Sequence, residues 1–341
     1  MTETGPDKGG RAEEQLREYF ISAGYFAVRG VPVAYDDVEI TDIDLWLYLR
    51  PSPLSRERVN VDAKNRSTPK ALERILWAQG LRSILGLESC IVATTDVRPV
   101  VKAFGREHGV LVLDGAFLAK LSARRNADRI SEEELMALLG PSKDDKLLGS
   151  WRERLKAARA RLVSQLEFDG CNGWLEDARY FLEQMTSGRA EAACRLAYLV
   201  VSYFLVGVDY SLRRLAFDEP DVRRQALVEG FRFGSRGREQ IEQTVTTAAQ
   251  LVARFAPDAK SRASNLRMQV VGELEGMPVE MLADHFMKND VAGELFSLAR
   301  AFEARAYSSA LTRPGQLEPS CQAVLGLIAD FYQLDRRRLL A

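Results

Sequence analysis

The sequence contains few of the residues from which most metal and redox sites are built. It has two histidines, His108 and His285, which are too few for a His-rich metal site. Its four cysteines are far apart and show no Cys-x-x-Cys spacing, so we expect reduced thiols rather than a disulfide framework or a zinc site. Any metal bound by this chain is therefore expected to have oxygen ligands.

An excess of charge of one sign is also lacking. The chain carries 47 Lys and Arg against 48 Asp and Glu, which gives a net charge of -1. No overall basic field indicates non-specific DNA binding, although a neutral protein can still contain a local basic channel. An apolar content of 46% is ordinary for a soluble globular protein, and 341 residues suffice for two domains.

Long apolar runs are absent as well. The most apolar one, LAYLVVSYFLVGV (196–208), is too short to cross a bilayer and is predicted to be the central buried helix of a bundle. The polar start MTETGPDKGG has no signal-peptide core, and residues 1–10 are expected to be disordered. A cytoplasmic protein with no membrane partner is therefore predicted.

The first 140 residues alternate between helical and strand patterns. Helices are predicted over 11–24, from Thr68-Pro69 to Gly86, over RPVVKAFGREHG, and after a capping-box pattern at Ser131 and Glu134. Strands are predicted at 25–33, 39–49, 59–64, 89–95 and 110–114. A Pro-rich turn indicates a hairpin between the second and third strands, and the final strand–helix–strand unit implies a parallel crossover on a mixed sheet.

The rest of the chain is almost wholly helical in pattern, with about eight helices and no convincing strand. GPSKDDK (140–146) is the best candidate for a linker. The predicted fold is therefore an α/β domain with a mixed sheet over 11–139, a linker over 140–147, and an all-helical accessory domain over 148–341.

The stretch VNVDAKNRS (59–67) carries the most suggestive chemistry. Asp62 and Lys64 share one face of the predicted strand, because side chains two residues apart point the same way. Taken alone, such a pair is also typical of a solvated strand end. Asp44, however, lies inside the preceding strand, where a carboxylate is costly without a cation or hydrogen bonds. Two carboxylates on paired strands can hold Mg²⁺, and a nearby lysine can act on the attacking water.

This arrangement resembles the PD-(D/E)XK nuclease superfamily, which has the restriction-endonuclease-like fold, and especially its archaeal Holliday-junction resolvases and Mrr-type enzymes. Its pattern is a helix with a glutamate, an Asp on the second strand and (D/E)-x-K on the third. The matching segments are AEEQLREYFISAGYFAVRG (12–30), TDIDLWL (41–47), VDAKNRS (61–67) and IVATTDVRPVVKAFGREHGVLVLDGAFL (91–118). They occur in the family's order and cover roughly residues 11–120.

The resemblance implies a metal-binding role for three residues. Asp44 matches the central metal ligand, Asp62 matches the second, and the backbone carbonyl of Ala63 is implied as an additional ligand. Asp42 points the same way as Asp44 and is the alternative. Ile43 stands where the family pattern has proline, a departure that is common in this branch.

Catalytic roles are implied for two further positions. Glu13 matches the helix glutamate, with Glu14 as the alternative, and Lys64 matches the lysine that handles the attacking water. Gln79 resembles an auxiliary polar residue of Mrr-like enzymes but is equally consistent with an ordinary helix surface.

The function implied is a Mg²⁺-dependent endonuclease, with Mn²⁺ expected to substitute and with DNA favoured over RNA as partner. Its fusion to a helical region resembles bacterial restriction and anti-phage effectors. Two alternatives stay open, namely an RNase and a catalytically idle nucleic-acid-binding or regulatory scaffold. Residues 148–341 could recognise substrate, bind a protein partner or self-associate, and the sequence does not choose among these.

Two basic segments in the second half have both a structural and a nucleic-acid-binding interpretation, and a third has a structural one. Arg152, Lys156 and Arg159 form a stripe that is either solvated or follows a phosphate backbone. GFRFGSRGRE (230–239) is either an interhelical loop or a stacking surface, and 336–338 is expected to end the last helix.

Overall fold

The structure is a computed structural model that describes residues 8–36, 38–64, 70–121, 128–140, 150–185, 189–255 and 260–340. Its amino-terminal part contains a five-stranded mixed sheet with flanking helices. The carboxy-terminal part is mostly helical. At this level the predicted fold class is confirmed.

The strands lie in the sheet in their chain order. They are β1 (Phe26–Tyr35), β2 (Val38–Leu49), β3 (Glu57–Lys64), β4 (Ser89–Thr94) and β5 (Leu111–Leu113). β2 is antiparallel to both β1 and β3, whereas β3, β4 and β5 are parallel to one another. The predicted hairpin and the predicted parallel crossover are both confirmed.

Five helices accompany the sheet in the part of the chain that the structure describes. They are α1 (Lys8–Ser22), α2 (Ala71–Leu85), α3 (Pro99–Glu107), α4 (Gly115–Leu121) and α5 (Glu132–Leu139). Since α1 begins at Lys8, the prediction of disorder is wrong for residues 8–10. α2 ends at Leu85 and is capped by Gly86, whose φ of 60° favours glycine, whereas its predicted start at Thr68 and Pro69 lies outside the described residues. The capping box of Ser131 and Glu134 is present at the start of α5.

The second half forms ten helices within the described ranges, where about eight were predicted. They are α6 (Trp151–Ser164), α7 (Phe168–Gln184), α8 (Ala190–Leu212), α9 (Pro220–Phe233), α10 (Gly237–Phe255), α11 (Lys260–Gly276), α12 (Val279–Phe286), α13 (Asn289–Tyr307), α14 (Pro319–Phe331) and α15 (Arg336–Leu339). α8 extends beyond the run 196–208 to 23 residues, so that it alone among the described helices is long and apolar enough to cross a membrane, contrary to the expectation from the run, but 94% of its apolar window is buried inside the protein. It is therefore the central core helix that the sequence predicted.

The sheet and the helical region share a hydrophobic core. Trp46 and Tyr48 of β2 are fully buried in the same cluster as Tyr203 and Val206 of α8. The opposite face of β2 packs Leu45 and Leu47 against α1 in a separate cluster. Both faces of β2 are thus covered, and the helical region is packed directly on the sheet. Of the predicted linker, the structure describes only Gly140.

A buried ionic network also joins α1 to the helical region. Arg17 donates to Glu303 Oε1 at 2.7 Å, and its guanidinium lies 3.7 Å from the centre of the Tyr307 ring. Glu132, at the start of α5, accepts from Arg159 at 2.6 Å and from the Tyr307 hydroxyl at 2.6 Å. Buried charges require such partners, since an unpaired one carries a large desolvation cost.

Acid should weaken this network through Glu132. Burial raises the pKa of this carboxyl, but Arg159 and Arg17 lower it more, from the ordinary 4.5 to about 2. Because the folded-state pKa is depressed, the stabilisation is fully present above about pH 4.5 and is lost as pH falls toward 2. The Glu132 charge thus contributes on the order of 3 kcal/mol to the free energy of unfolding.

We expect Glu132→Gln to lower the free energy of unfolding in urea by a large amount at pH 7 and by less at pH 3.5. An equal loss at both pH values would contradict this role of Glu132.

The stripe of Arg152, Lys156 and Arg159 is not a free basic surface. Arg159 is buried against Glu132, Lys156 pairs with Glu39 of β2, and Arg152 donates to the Met136 carbonyl of α5. The solvated and the phosphate-binding interpretations are both wrong for Arg159. Helix phase alone could not reveal this, because the stripe faces elements that are distant in sequence.

Only residues 234–236 of the segment 230–239 form an interhelical connection, and its two ends belong to α9 and α10. Phe231 and Phe233 are buried, so their rings cannot stack on bases, while Arg232 pairs with Glu280 at 2.5 Å and Arg238 pairs with Glu275 at 3.0 Å. Residues 336–338 lie in the last turn of the four-residue α15, the last helix that the structure describes, and Asp335 caps its start.

Candidate metal centre on the central hairpin

The hairpin of β2 and β3 brings the two predicted aspartates together. The last ladder pair before the strands separate is Leu45 with Val61, and Asp44 and Asp62 are the next residues on each strand. Residues that face each other across an antiparallel pair project to the same side of the sheet. The two aspartates therefore project to the same side of the sheet, where the pairing of β2 and β3 stops.

Asp44 closes the end of this ladder with its side chain. Its Oδ2 accepts a hydrogen bond from the backbone N–H of Ala63 at 2.7 Å. A carboxylate thus occupies the position of a ladder carbonyl and satisfies the N–H between Asp62 and Lys64. The contact fixes Asp44 against the strand segment that carries the D-x-K pattern.

Asp62 is held by an arginine that the sequence did not single out. Arg74, in the first turn of α2, donates from Nε to Asp62 Oδ2 at 2.6 Å, and its Nη2 contacts Oδ1. Asp62 is 7% exposed. Burial lowers the pKa of Arg74, and the negative charge of Asp44 opposes that shift. The guanidinium therefore acts as the counter-charge of the pair of aspartates.

The two candidate glutamates of α1 both bind Arg29 of β1. Glu13 accepts from Arg29 Nη2 at 3.0 Å, and Glu14 accepts from Nη1 at 2.7 Å. Glu14 also pairs with Arg17, whereas Glu13 is the more exposed of the two. Both acidic side chains are thus engaged in the ionic network, and the choice of Glu13 as the third catalytic carboxylate stays a prediction.

Lys64 is described only through its backbone. It ends β3 and lies beside Thr94 in the parallel register with β4. Its side chain lies outside the described residues, so its predicted role stays a prediction.

A cleft of about 270 Å³ opens at the same carboxyl edge of the sheet, between α1, α4 and Thr95.

The donor set suits a hard cation held by few protein ligands. Among the residues that the structure describes, no three acidic, His or Cys side chains converge on one point. Mg²⁺, however, is commonly held by one or two carboxylates and otherwise by waters and substrate phosphates. Asp44, Asp62 and the Ala63 carbonyl offer oxygen ligands of that kind. These residues therefore fit Mg²⁺, provided that Arg74 releases Asp62.

The alternative positions lie away from this pair. Asp42 is exposed, lies beside Pro32 in the ladder, and its charge acts on Lys156. Gln79 accepts from Arg82 and from the thiol of Cys90. His108 caps α3 and packs against Phe104, in keeping with the predicted structural role.

Sequence inspection missed Arg74, although the helix pattern contained a signal for it. Ala71, Ile75 and Ala78 form the buried face of α2, and position 74 flanks that face. An arginine beside a buried helix face, ten residues after a D-x-K strand, is a candidate partner for the aspartate.

The comparisons with known proteins add no identification, because the chain matches no family model, no curated protein and no solved structure.

Proposed function

We propose that this protein is a Mg²⁺-dependent phosphodiesterase that cleaves nucleic acid, with DNA as its favoured polymer. The observation that carries the proposal is the register of the central hairpin, in which Asp44 and Asp62 directly follow the last ladder pair and the Ala63 N–H bonds to Asp44. The order of helix, three strands, helix and strand agrees with the restriction-endonuclease-like resemblance. A role in bacterial restriction or anti-phage defence belongs to the same proposal.

The chain's own residues would divide the work as follows. Asp44 and Asp62 bind the cation, with the Ala63 carbonyl as a further oxygen ligand, and Mn²⁺ can replace Mg²⁺. When bound, the cation neutralises charge that develops on the scissile phosphate and lowers the pKa of the attacking water. Lys64 orients that water and accepts or shares its proton. Glu13, released from Arg29, completes the site.

A regulatory or binding scaffold is the second candidate, and one specific observation favours it. Asp62 and Glu13 are both neutralised by arginines, so the acidic residues already have protein partners. In that case the sheet would bind nucleic acid without cutting it, and the helical region would contact a protein partner or a second copy of the chain.

A cleavage panel separates these candidates. Wild-type protein is incubated with plasmid, single-stranded DNA, a four-way junction and total RNA, each in Mg²⁺, Mn²⁺ and EDTA. We expect cutting of DNA in both metals and none in EDTA, because the ligands are oxygen atoms that bind hard cations. Cutting of RNA alone would identify an RNase, and binding without cutting in either metal would favour the scaffold.

A further inference from the structure

We propose that Arg74 is the internal cation of the candidate centre and competes with a divalent metal ion for Asp62. The proposal rests on the proposed function for the identity of the site. It goes beyond that function because it assigns a positioning and gating role to a residue outside the D-x-K pattern.

The geometry makes the two cations mutually exclusive. Arg74 engages both carboxylate oxygens of Asp62, one from Nε at 2.6 Å and the other from Nη2. Such two-point guanidinium–carboxylate contacts are among the stronger ion pairs in proteins. A metal ion needs at least one of the same oxygens, and two positive charges cannot share this site without repulsion.

Burial explains why an internal cation is needed. The Asp62 side chain is only 8% exposed, so little water is available to solvate its charge. Asp44 adds a second negative charge that acts on Arg74. Without either cation, these neighbouring carboxylates would repel each other in a poorly solvated position.

The position of Arg74 also allows its guanidinium to move away from Asp62. Its side chain is 29% exposed, and it projects from the first turn of α2 rather than from the helix interior. The guanidinium can therefore turn toward solvent when a metal ion binds Asp62. Arg74 thus stabilises the metal-free centre and raises the metal concentration that the protein requires.

A direct measurement of metal binding tests whether Arg74 competes with the metal ion. Mn²⁺ titrations followed by electron paramagnetic resonance would compare wild type, Arg74→Gln, Arg74→Lys and Arg82→Gln. We expect Arg74→Gln to lower the Mn²⁺ Kd by about tenfold or more, since a neighbouring arginine typically stabilises a carboxylate by that factor or more. Arg74→Lys keeps the charge but loses the two-point contact, so it should tighten binding by a smaller factor. Arg82→Gln, on the same helix, should match wild type.

Each other outcome has a defined meaning. An unchanged Kd in Arg74→Gln and Arg74→Lys, with circular dichroism showing both folded, would overturn the proposal, as would the absence of Mn²⁺ binding in every variant. If Arg74→Gln does not fold, Arg74→Lys decides alone. Tighter metal binding without cleavage by any variant would support the role of Arg74 and overturn the proposed nuclease function. Cleavage together with an unchanged Kd would support the nuclease function and overturn the role of Arg74.

Discussion

Asparagine in place of Asp44 is expected to lower DNA cleavage in Mg²⁺ by about 1,000-fold or more. Stabilisation of phosphate charge by a metal ion contributes several kcal/mol, and about 1.4 kcal/mol corresponds to each tenfold in rate. The side chain of asparagine still offers an oxygen to the Ala63 N–H, which now bonds to Asp44 Oδ2 at 2.7 Å. The fold should therefore persist while metal affinity falls. Initial rates on plasmid, with Mn²⁺ titrations alongside, measure both effects.

Asp42→Asn is the matched control for this change. It removes the same charge from the same face of the same strand, two residues away, where the side chain is exposed. Its cleavage rate should stay within about twofold of wild type, as is usual for an exposed group outside a functional site. A severe loss in Asp42→Asn with full activity in Asp44→Asn would show that the metal binds at Asp42, two residues before Asp44 on β2.

Loss of the Asp209 charge is expected to give the largest effect on stability. Asp209, in α8, is fully buried and accepts from the Tyr48 hydroxyl at 2.6 Å, from Arg50 at 3.0 Å and from Arg56 at 2.9 Å. Asp209→Asn would leave Arg56 buried without its counter-charge. Removal of one partner from a buried ion pair costs about 3–5 kcal/mol. That loss is a large fraction of the free energy of unfolding of a typical domain, and urea unfolding would measure it.

Asp330→Asn provides the comparison for Asp209. Asp330 pairs with Arg336 at 3.4 Å, and both side chains are about half exposed. Exposed ion pairs contribute about 0–1 kcal/mol, so this variant should unfold at nearly the wild-type urea concentration. Equal losses in the two variants would mean that the buried contacts of Asp209 with Tyr48, Arg50 and Arg56 contribute no more to stability than an exposed ion pair.

Local patterns in the sequence were sufficient to predict most of the sheet. Alternation at Ile43, Leu45 and Leu47 correctly placed β2, and the capping residues of α5 were visible because a cap depends on four consecutive positions. The burial of Trp46 and Tyr48 was not predictable in the same way. It depends on α8 packing over the sheet, and strand periodicity contains no information about which distant element covers a face.

The candidate site was predictable to a similar extent. Asp44 and Asp62 were expected to converge because a hairpin fixes their register, and in the structure each directly follows the last pair of that hairpin. The partners that neutralise the acidic residues were not foreseen. Arg74 reaches Asp62 only because of how α2 lies over β3, and Arg29 reaches Glu13 only because α1 packs beside β1. Such pairings depend on tertiary packing rather than on spacing along the chain.

The most direct test of the proposed nuclease is a plasmid-cleavage time course with wild type and Lys64→Ala at equal concentration. Both proteins are incubated in Mg²⁺ and in EDTA, and circular dichroism confirms that both are folded. We expect wild type to cut only in Mg²⁺ and Lys64→Ala to cut at least about 100-fold more slowly, which is the usual contribution of a proton-transferring group. Equal cutting by both proteins, or cutting by wild type in EDTA, would contradict a metal centre on the central hairpin.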